Sequence, residues 1–241
     1  MRVPYLGKLL VISDYVLRHR KSYDQAMIKA ILFDFGGVIT TSPFDAFGEY
    51  EIEVGVPSGV IRKINSINPD TNAWAKYERN EVTRDQFISS FEDEAVALGV
   101  SLSAERVLKC LETTIRPNMV DAIKSLRTEY KLAILTNNLH QSSNDSTGDK
   151  KSPTAHLEMV IDLVDHVIES SKIGVRKPER AFYEEACRVV GADPGECVFL
   201  DDLGINLKPA RQMGMRTIKV MSEQQALDDL HEVLSENKYK D

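Results

Sequence analysis

Three short apolar runs constrain this chain more than any other feature: Ile28 to Asp34, Leu132 to Asn138 and Cys197 to Leu200. They lack the apolar–polar alternation of a strand with one wet face, so each reads as a strand buried on both faces. Such strands belong to parallel sheets, whose crossover helices cover both sides. The intervening segments supply those helices. Pro117 opens one at its first turn, with Met119, Val120, Ile123 and Leu126 as the apolar face. Others are expected near 157–163, at 178–190, at 206–213 and at 223–234, with further strands at 166–169 and 217–220. Strand and helix in alternation predict an α/β chain with a doubly wound parallel sheet.

Residues 44–115 depart from that scheme. Turns at Pro57-Ser58-Gly59 and Asn68-Pro69-Asp70 separate helical patterns. Thr83 caps a helix running through Phe87, Phe91 and Ala95, and Ser103-Ala104-Glu105 opens another with Val107, Leu108 and Leu111 on one face. No strand pattern occurs there, so a small helical module is expected as an insertion after the first strand, with residues 28–43 and 116–241 forming the α/β core. Residues 1–27 read as a peripheral leader. Their apolar patch is too short for a signal peptide, and no small-residue cleavage site follows it. The polar stretch 141–152 is expected to be a loop, and the charged end, 236–241, to fray.

A net charge of -7 argues against a general nucleic-acid binder. No apolar run approaches the roughly 18 residues of a membrane span. Cys110, Cys187 and Cys197 form no CxxC pair, which fits neither a disulfide framework nor a structural zinc site. A cytoplasmic protein with a small-molecule partner is expected, with no nucleic acid and no membrane; the oligomeric state is left open.

The chemistry gathers at the strand ends. Asp34 closes the first strand and is followed by Gly36 and Gly37, where a backbone can turn sharply and aim N–H groups at an anion. Thr136 and Asn137 end the second strand, Lys177 precedes a helix, and Asp201-Asp202 ends the fourth strand. In a parallel sheet all these ends share one edge, so residues distant in sequence converge. Clustered carboxylates repel unless something positive intervenes. Lys177 offers one charge, and oxygen-only ligands suit Mg²⁺ as the other. Thr136 and Asn137 can donate to oxyanions, which makes the set an anionic-substrate site with a metal.

These motifs, in this order, resemble the haloacid dehalogenase superfamily of phosphohydrolases. The run FLDDLGINLKPARQMGM from Phe199 to Met215 and the Lys177-Pro178-Glu179 run look especially like the phosphatase-like N-terminal domain of soluble epoxide hydrolases and the related domain of an acyl-CoA dehydrogenase family member. The resemblance implies a Rossmann-like core with a helical cap at 44–115 that closes over the site and selects a small phosphorylated metabolite. It implies Asp34 as the nucleophile that becomes an aspartyl-phosphate, Thr136 as a phosphoryl-oxygen ligand and Lys177 as the neutralising charge. Asn137 and Gly37 would join in binding substrate. Asp34, the Gly36 carbonyl and Asp202 would hold Mg²⁺, with Asp201 as a ligand or a supporting partner. Dehalogenation fits less well, since those enzymes use no metal and the paired acids would have no partner.

One position departs from the family pattern. Most of its phosphatases carry an aspartate two residues after the nucleophile, which protonates the leaving group and then activates water. Here that residue is Gly36. A slow phosphatase, a phosphatase with a borrowed acid or a module that binds phosphate and metal without turnover is therefore expected. Asp45 and Glu49 are the candidates for a borrowed acid. Trp74 and Tyr77 are read as cap core, Arg62 and Arg79 either as residues within reach of substrate or as solvated surface arginines, and His140 as an incidental neighbour of the site loop.

Overall fold

A computed structural model describes residues 26–137 and 153–238. Its single sheet contains β1 (Ala30–Asp34), β2 (Lys131–Thr136), β3 (His166–Glu169), β4 (Cys197–Asp201) and β5 (Arg216–Lys219), all parallel, in the spatial order β3-β2-β1-β4-β5. From β1 the chain winds outward to β3, returns to the other side of β1 with β4 and winds outward again. This is the doubly wound, Rossmann-like arrangement expected. The reversal opens a crevice between β1 and β4 at their carboxyl ends.

Helices α1 (Phe44–Glu53), α2 (Val60–Ser66), α3 (Ala73–Glu78), α4 (Arg84–Ala97) and α5 (Ala104–Lys109) lie between β1 and α6 (Pro117–Leu126) in the chain. After β2 come α7 (Pro153–Val160), α8 (Ser170–Ile173), α9 (Arg180–Val190), α10 (Gly204–Gln212) and α11 (Glu223–Lys238). Several ends differ from expectation. The first ladder begins at Ala30 rather than Ile28, the second stops at Thr136, and the fifth runs one residue earlier than predicted. The expected helix at 157–163 is α7 followed by a tighter turn over Ile161–Leu163. Residues 1–25, 138–152 and 239–241, which include His140, most of the leader and the 141–152 loop, lie outside the described residues.

The period of two along each buried strand divides the core. Ile31, Phe33, Leu132, Ile134, Val198 and Leu200 pack on one face with Met119 and Ile123 of α6 and Leu230 of α11. Leu32, Ala133, Leu135 and Phe199 pack on the other with Phe182 and Tyr183 of α9 and Leu207 of α10. Both faces of every central strand are dry, which is why the runs carry no alternation.

Helices α1 to α5 build a separate apolar cluster around Phe47, Ile61, Tyr77, Phe87 and Phe91. Tyr77 stacks on Phe87 at 4.7 Å between ring centroids, and Trp74 meets Phe87 edge-on at 5.4 Å. Three acids of this unit serve helix starts, where backbone N–H groups lack partners. Glu51 accepts from Gly59 and Ile61 N–H at 2.6 and 2.9 Å, Glu94 from Ala73 at 2.8 Å and Glu92 from Ala104 at 3.0 Å. Thr83 caps α4 in a reciprocal pair with Gln86, as its sequence predicts. The two chain crossings into the unit run side by side, Thr40 bridging Ile115 antiparallel. No helix among the described residues is long and apolar enough to cross a membrane.

Two truncations of similar size separate core from surface. Leu32→Ala, at a fully buried position in the sheet, is expected to cost about 2–5 kcal/mol. Ile52→Ala, at a side chain 79% exposed, should stay within about 0.5 kcal/mol. Urea unfolding midpoints of the two variants measure the difference.

Candidate active site

Asp34 stands at the head of the central strand, opposite Leu135 of β2 and one residue beyond the Phe33–Leu200 pair with β4. Thr136 and Asp201 are therefore its neighbours on either side. Asp34 Oδ1 accepts the Phe35 N–H at 2.6 Å and pairs with Lys177 Nζ at 2.7 Å. Its Oδ2 takes no hydrogen bond among the described residues. The Lys177 side chain is 1% exposed, and Nζ also reaches Asp201 Oδ2 at 3.0 Å and the Leu135 carbonyl at 2.9 Å. It sits 5.6 Å from the centre of the Phe199 ring, whose face favours a cation.

Asp201 and Asp202 are adjacent but differently engaged. Asp201 is fully buried, and both its oxygens already accept: Oδ1 from the Leu203 N–H at 2.7 Å and from Asn206, Oδ2 from Asn206 and Lys177 at 3.0 Å each. Asp202 is half-buried and accepts from the Ser42 hydroxyl at 3.0 Å. One carboxylate oxygen from each of Asp34, Asp201 and Asp202 lies within 4.8 Å of the others.

Burial, followed by the neighbouring Asp201 charge, pushes Asp34 well above the usual carboxylate range against the pull of Lys177. The same two influences raise Asp202. For Lys177 burial is the largest single influence and favours the neutral amine, yet Asp201 and Asp34 together outweigh it and hold the ammonium charged. Burial and crowding act together here: the carboxyl is drawn towards neutrality while the amine is held charged, because three carboxylates share a single enclosed cation. The donor set is all oxygen and short of positive charge, and a hard divalent cation fits both properties.

The two glycines after Asp34 differ in kind. Gly37 has φ of 78°, and a Cβ built there would fall inside the Asp202 carboxylate, so only glycine permits this approach of β1 to β4. Its N–H donates to the Thr41 carbonyl at 3.4 Å. Gly36 has an ordinary extended φ of -69°, and a Cβ there would meet nothing within 4 Å. The backbone leaves room for a side chain at that position.

Other residues singled out in the sequence are placed as follows. Thr136 is buried at the end of β2. Asn137 directs its amide inward, with Nδ2 donating to the Lys177 carbonyl and Oδ1 accepting the Lys177 N–H, both at 2.9 Å. Asp45 and Glu49 are exposed on α1. Tyr77 is buried in the helical core and Trp74 half-buried beside it. Arg79 is held by Glu81 at 2.6 Å and Glu179 at 3.3 Å, and Arg62 lies over the Phe44 ring at 4.6 Å. Sequence reasoning passed over Ser42, Asn206, Arg176 and Glu78. Asn206 had a signal, five residues after Asp201 in the first turn of α10. Glu78 had only its place four residues after Trp74, whose indole N–H it accepts at 2.9 Å. Burial pushes the Glu78 carboxyl up, while Arg176 pulls it back.

Fold and site together define a doubly wound α/β protein with a lysine-bridged carboxylate cluster at its switch point. The chain belongs to the haloacid dehalogenase-like hydrolases, whose sequence model matches residues 28–214. It is 32% identical over 212 residues to acyl-CoA dehydrogenase family member 10 of Mus musculus, covering 86% of this chain and 19% of the relative. It is 28% identical over 218 residues to bifunctional epoxide hydrolase 2 of Sus scrofa, covering 86% of this chain and 39% of the relative. The chain thus spans well under half the length of either curated relative. Among solved structures, a family enzyme from Bacteroides thetaiotaomicron in complex with magnesium and inorganic phosphate superposes with a TM-score of 0.54 at 19% identity, covering 83% of this chain and 98% of that one.

Lys177→Met removes the one ammonium paired with Asp34 and Asp201 and is expected to destabilise the metal-free protein by about 3–5 kcal/mol. Saturating Mg²⁺ should restore part of that loss by supplying charge to the same carboxylates. Urea titrations with EDTA and with Mg²⁺ measure both effects.

Proposed function

We propose that this protein is a magnesium-dependent phosphomonoester hydrolase that acts on a small phosphorylated metabolite through an aspartyl-phosphate on Asp34. The observation that carries this reading is the asymmetry of the Asp34 carboxylate. Phe35 N–H and Lys177 hold Oδ1, while Oδ2 takes no hydrogen bond among the described residues. A carboxylate fixed by one oxygen presents the other as a nucleophile in a set orientation. The Bacteroides enzyme with magnesium and phosphate supports the same reading.

In this reading Oδ2 attacks phosphorus, the P–O bond to the leaving group breaks, and water later cleaves the acyl phosphate to release phosphate and regenerate Asp34. Lys177 offsets charge on the nucleophile and phosphoryl group. Thr136, buried beside Asp34, binds a phosphoryl oxygen. Asp201 holds Lys177 and Asn206 in place, and Asn137 fixes the Lys177 backbone. Asp34, Asp202 and the Gly36 carbonyl would hold Mg²⁺, which supplies the positive charge that Lys177 alone lacks. Phosphoryl transfer depends mostly on positioning and charge stabilisation, so these groups suffice for much of the rate. Helices α1 to α5 act as the cap that closes over the site. The reading takes a cytoplasmic setting, with neither membrane nor nucleic acid as a partner.

Gly36 shapes the substrate range. With no acid there to protonate the departing oxygen, good leaving groups turn over faster than alkyl phosphates. The same glycine favours a second reading, a module that binds phosphate and metal without turnover. Isothermal calorimetry showing phosphate-ester binding beside an absence of product would establish that alternative.

Hydrolysis of 4-nitrophenyl phosphate should require Mg²⁺, cease on EDTA treatment and fall to background in Asp34→Asn. Equal rates for the wild type and Asp34→Asn would overturn the hydrolase reading. Gly36→Asp fits the open space at that position. It should raise alkyl-phosphate turnover by about 10²- to 10⁴-fold, with a smaller gain on aryl phosphates. Steady-state assays on the two substrate types test this.

A further inference from the structure

The proposed chemistry uses Lys177 and leaves unexplained a buried carboxylate on the cap. Glu78, at the end of α3, is 6% exposed. A carboxylate so enclosed is costly unless it is fully partnered. Among the described residues, one of its side-chain partners, Trp74, belongs to the cap. Oε2 faces the sheet domain, where it accepts from Asn137 Nδ2 at 3.1 Å and from Arg176 Nε.

These two partners bracket the catalytic lysine. Arg176 precedes it in the chain. Asn137 spends one amide hydrogen on Glu78 and the other on the Lys177 carbonyl, while its Oδ1 takes the Lys177 N–H. Glu78 thereby anchors from outside the amide whose other side pairs with Lys177, and that amide fixes the backbone from which Lys177 reaches Asp34 and Asp201. The cap has a second attachment that avoids this chain of contacts. The Ser170 hydroxyl donates to the Glu78 backbone carbonyl at 2.7 Å, independently of the Glu78 carboxylate.

We propose that Glu78 is a positioning residue through which the seated cap sets the place of Lys177 in the active site. Seating the cap completes the Asn137 clamp, so closure over a substrate and alignment of the lysine are one event. Removing the carboxylate leaves the Asn137 amide without its outer acceptor. Lys177 then loses its fixed origin even though Asp34 and Asp201 are intact. The proposal rests on the phosphatase reading for its kinetic test, and a spectroscopic test stands apart from turnover.

Glu78→Leu keeps roughly the size of the side chain and removes both acceptor oxygens. It is expected to lower kcat on 4-nitrophenyl phosphate by about 10- to 100-fold, the cost of a misplaced catalytic group, with KM little changed. Asn137→Ala should do the same, and Glu78→Leu added to Asn137→Ala should cost little more, because the two act in series. Ser170→Ala loosens the cap without touching the clamp and should leave kcat close to wild type. Wild-type kcat in Glu78→Leu, full additivity with Asn137→Ala, or an equal loss in Ser170→Ala would overturn the proposal.

Amide ¹H–¹⁵N spectra decide the matter without turnover. Glu78→Leu should shift the Asn137 side-chain and Lys177 backbone signals, whereas Ser170→Ala should not; unshifted signals in Glu78→Leu would overturn the proposal. If the wild type proves inactive, the phosphatase reading falls and these spectra alone decide the positioning role.

Discussion

The buried ammonium of Lys177 between Asp34 and Asp201 is the interaction on which the rest depends. Two parallel strands bring their terminal carboxylates together at the crevice where the winding reverses, and a sheet alone offers nothing to balance them. The lysine arrives from a different part of the chain and is buried to do so. The cost of enclosing it is offset only by carboxylates that need it equally. Even so, the cluster remains short of positive charge, a deficit that a hard divalent cation fits.

Backbone shape makes the crowding possible. Gly37 turns with positive φ where a side chain would collide with Asp202, so the first and fourth strand ends approach as closely as a carboxylate allows. Gly36 is not needed for that purpose. Its conformation suits any residue and its Cβ direction is open. Glycine at that position is therefore not a demand of the fold. Within the helical unit Glu51, Glu92 and Glu94 close helix starts and Glu78 faces Asn137 and Arg176, whereas Asp45 and Glu49 stand exposed on α1.

Much of this was legible in the chain because parallel sheets follow simple rules. Unalternating runs signal strands buried on both faces, and strand ends on one edge gather Asp34, Thr136 and Asp201-Asp202 without knowledge of the contacts. Strand limits were less legible. The second ladder ends at Thr136, and releasing Asn137 from it frees that amide to clamp Lys177. Asn137 read as a donor to oxyanions, but in the structure its hydrogens go to Lys177 and Glu78. Arg79 read as a residue within reach of substrate, whereas ion pairs with Glu81 and Glu179 tie it down. Apart from Arg79–Glu81, these partnerships join residues about 40 to 100 positions apart and leave no periodic trace.

The sequence by itself determined the fold class, the order of the strands' functional ends and the absence of an acid at Gly36, because each depends on local pattern or residue identity. Tertiary structure alone decided how the acids divide their work. Asp201 is saturated by Lys177, Asn206 and Leu203, Asp202 is half-buried, and Asp34 is held by one oxygen. It also decided that Glu78 of the helical unit reaches the backbone of Lys177 through Asn137. Those outcomes depend on distances of about 3 Å between distant segments, which only the packed chain sets.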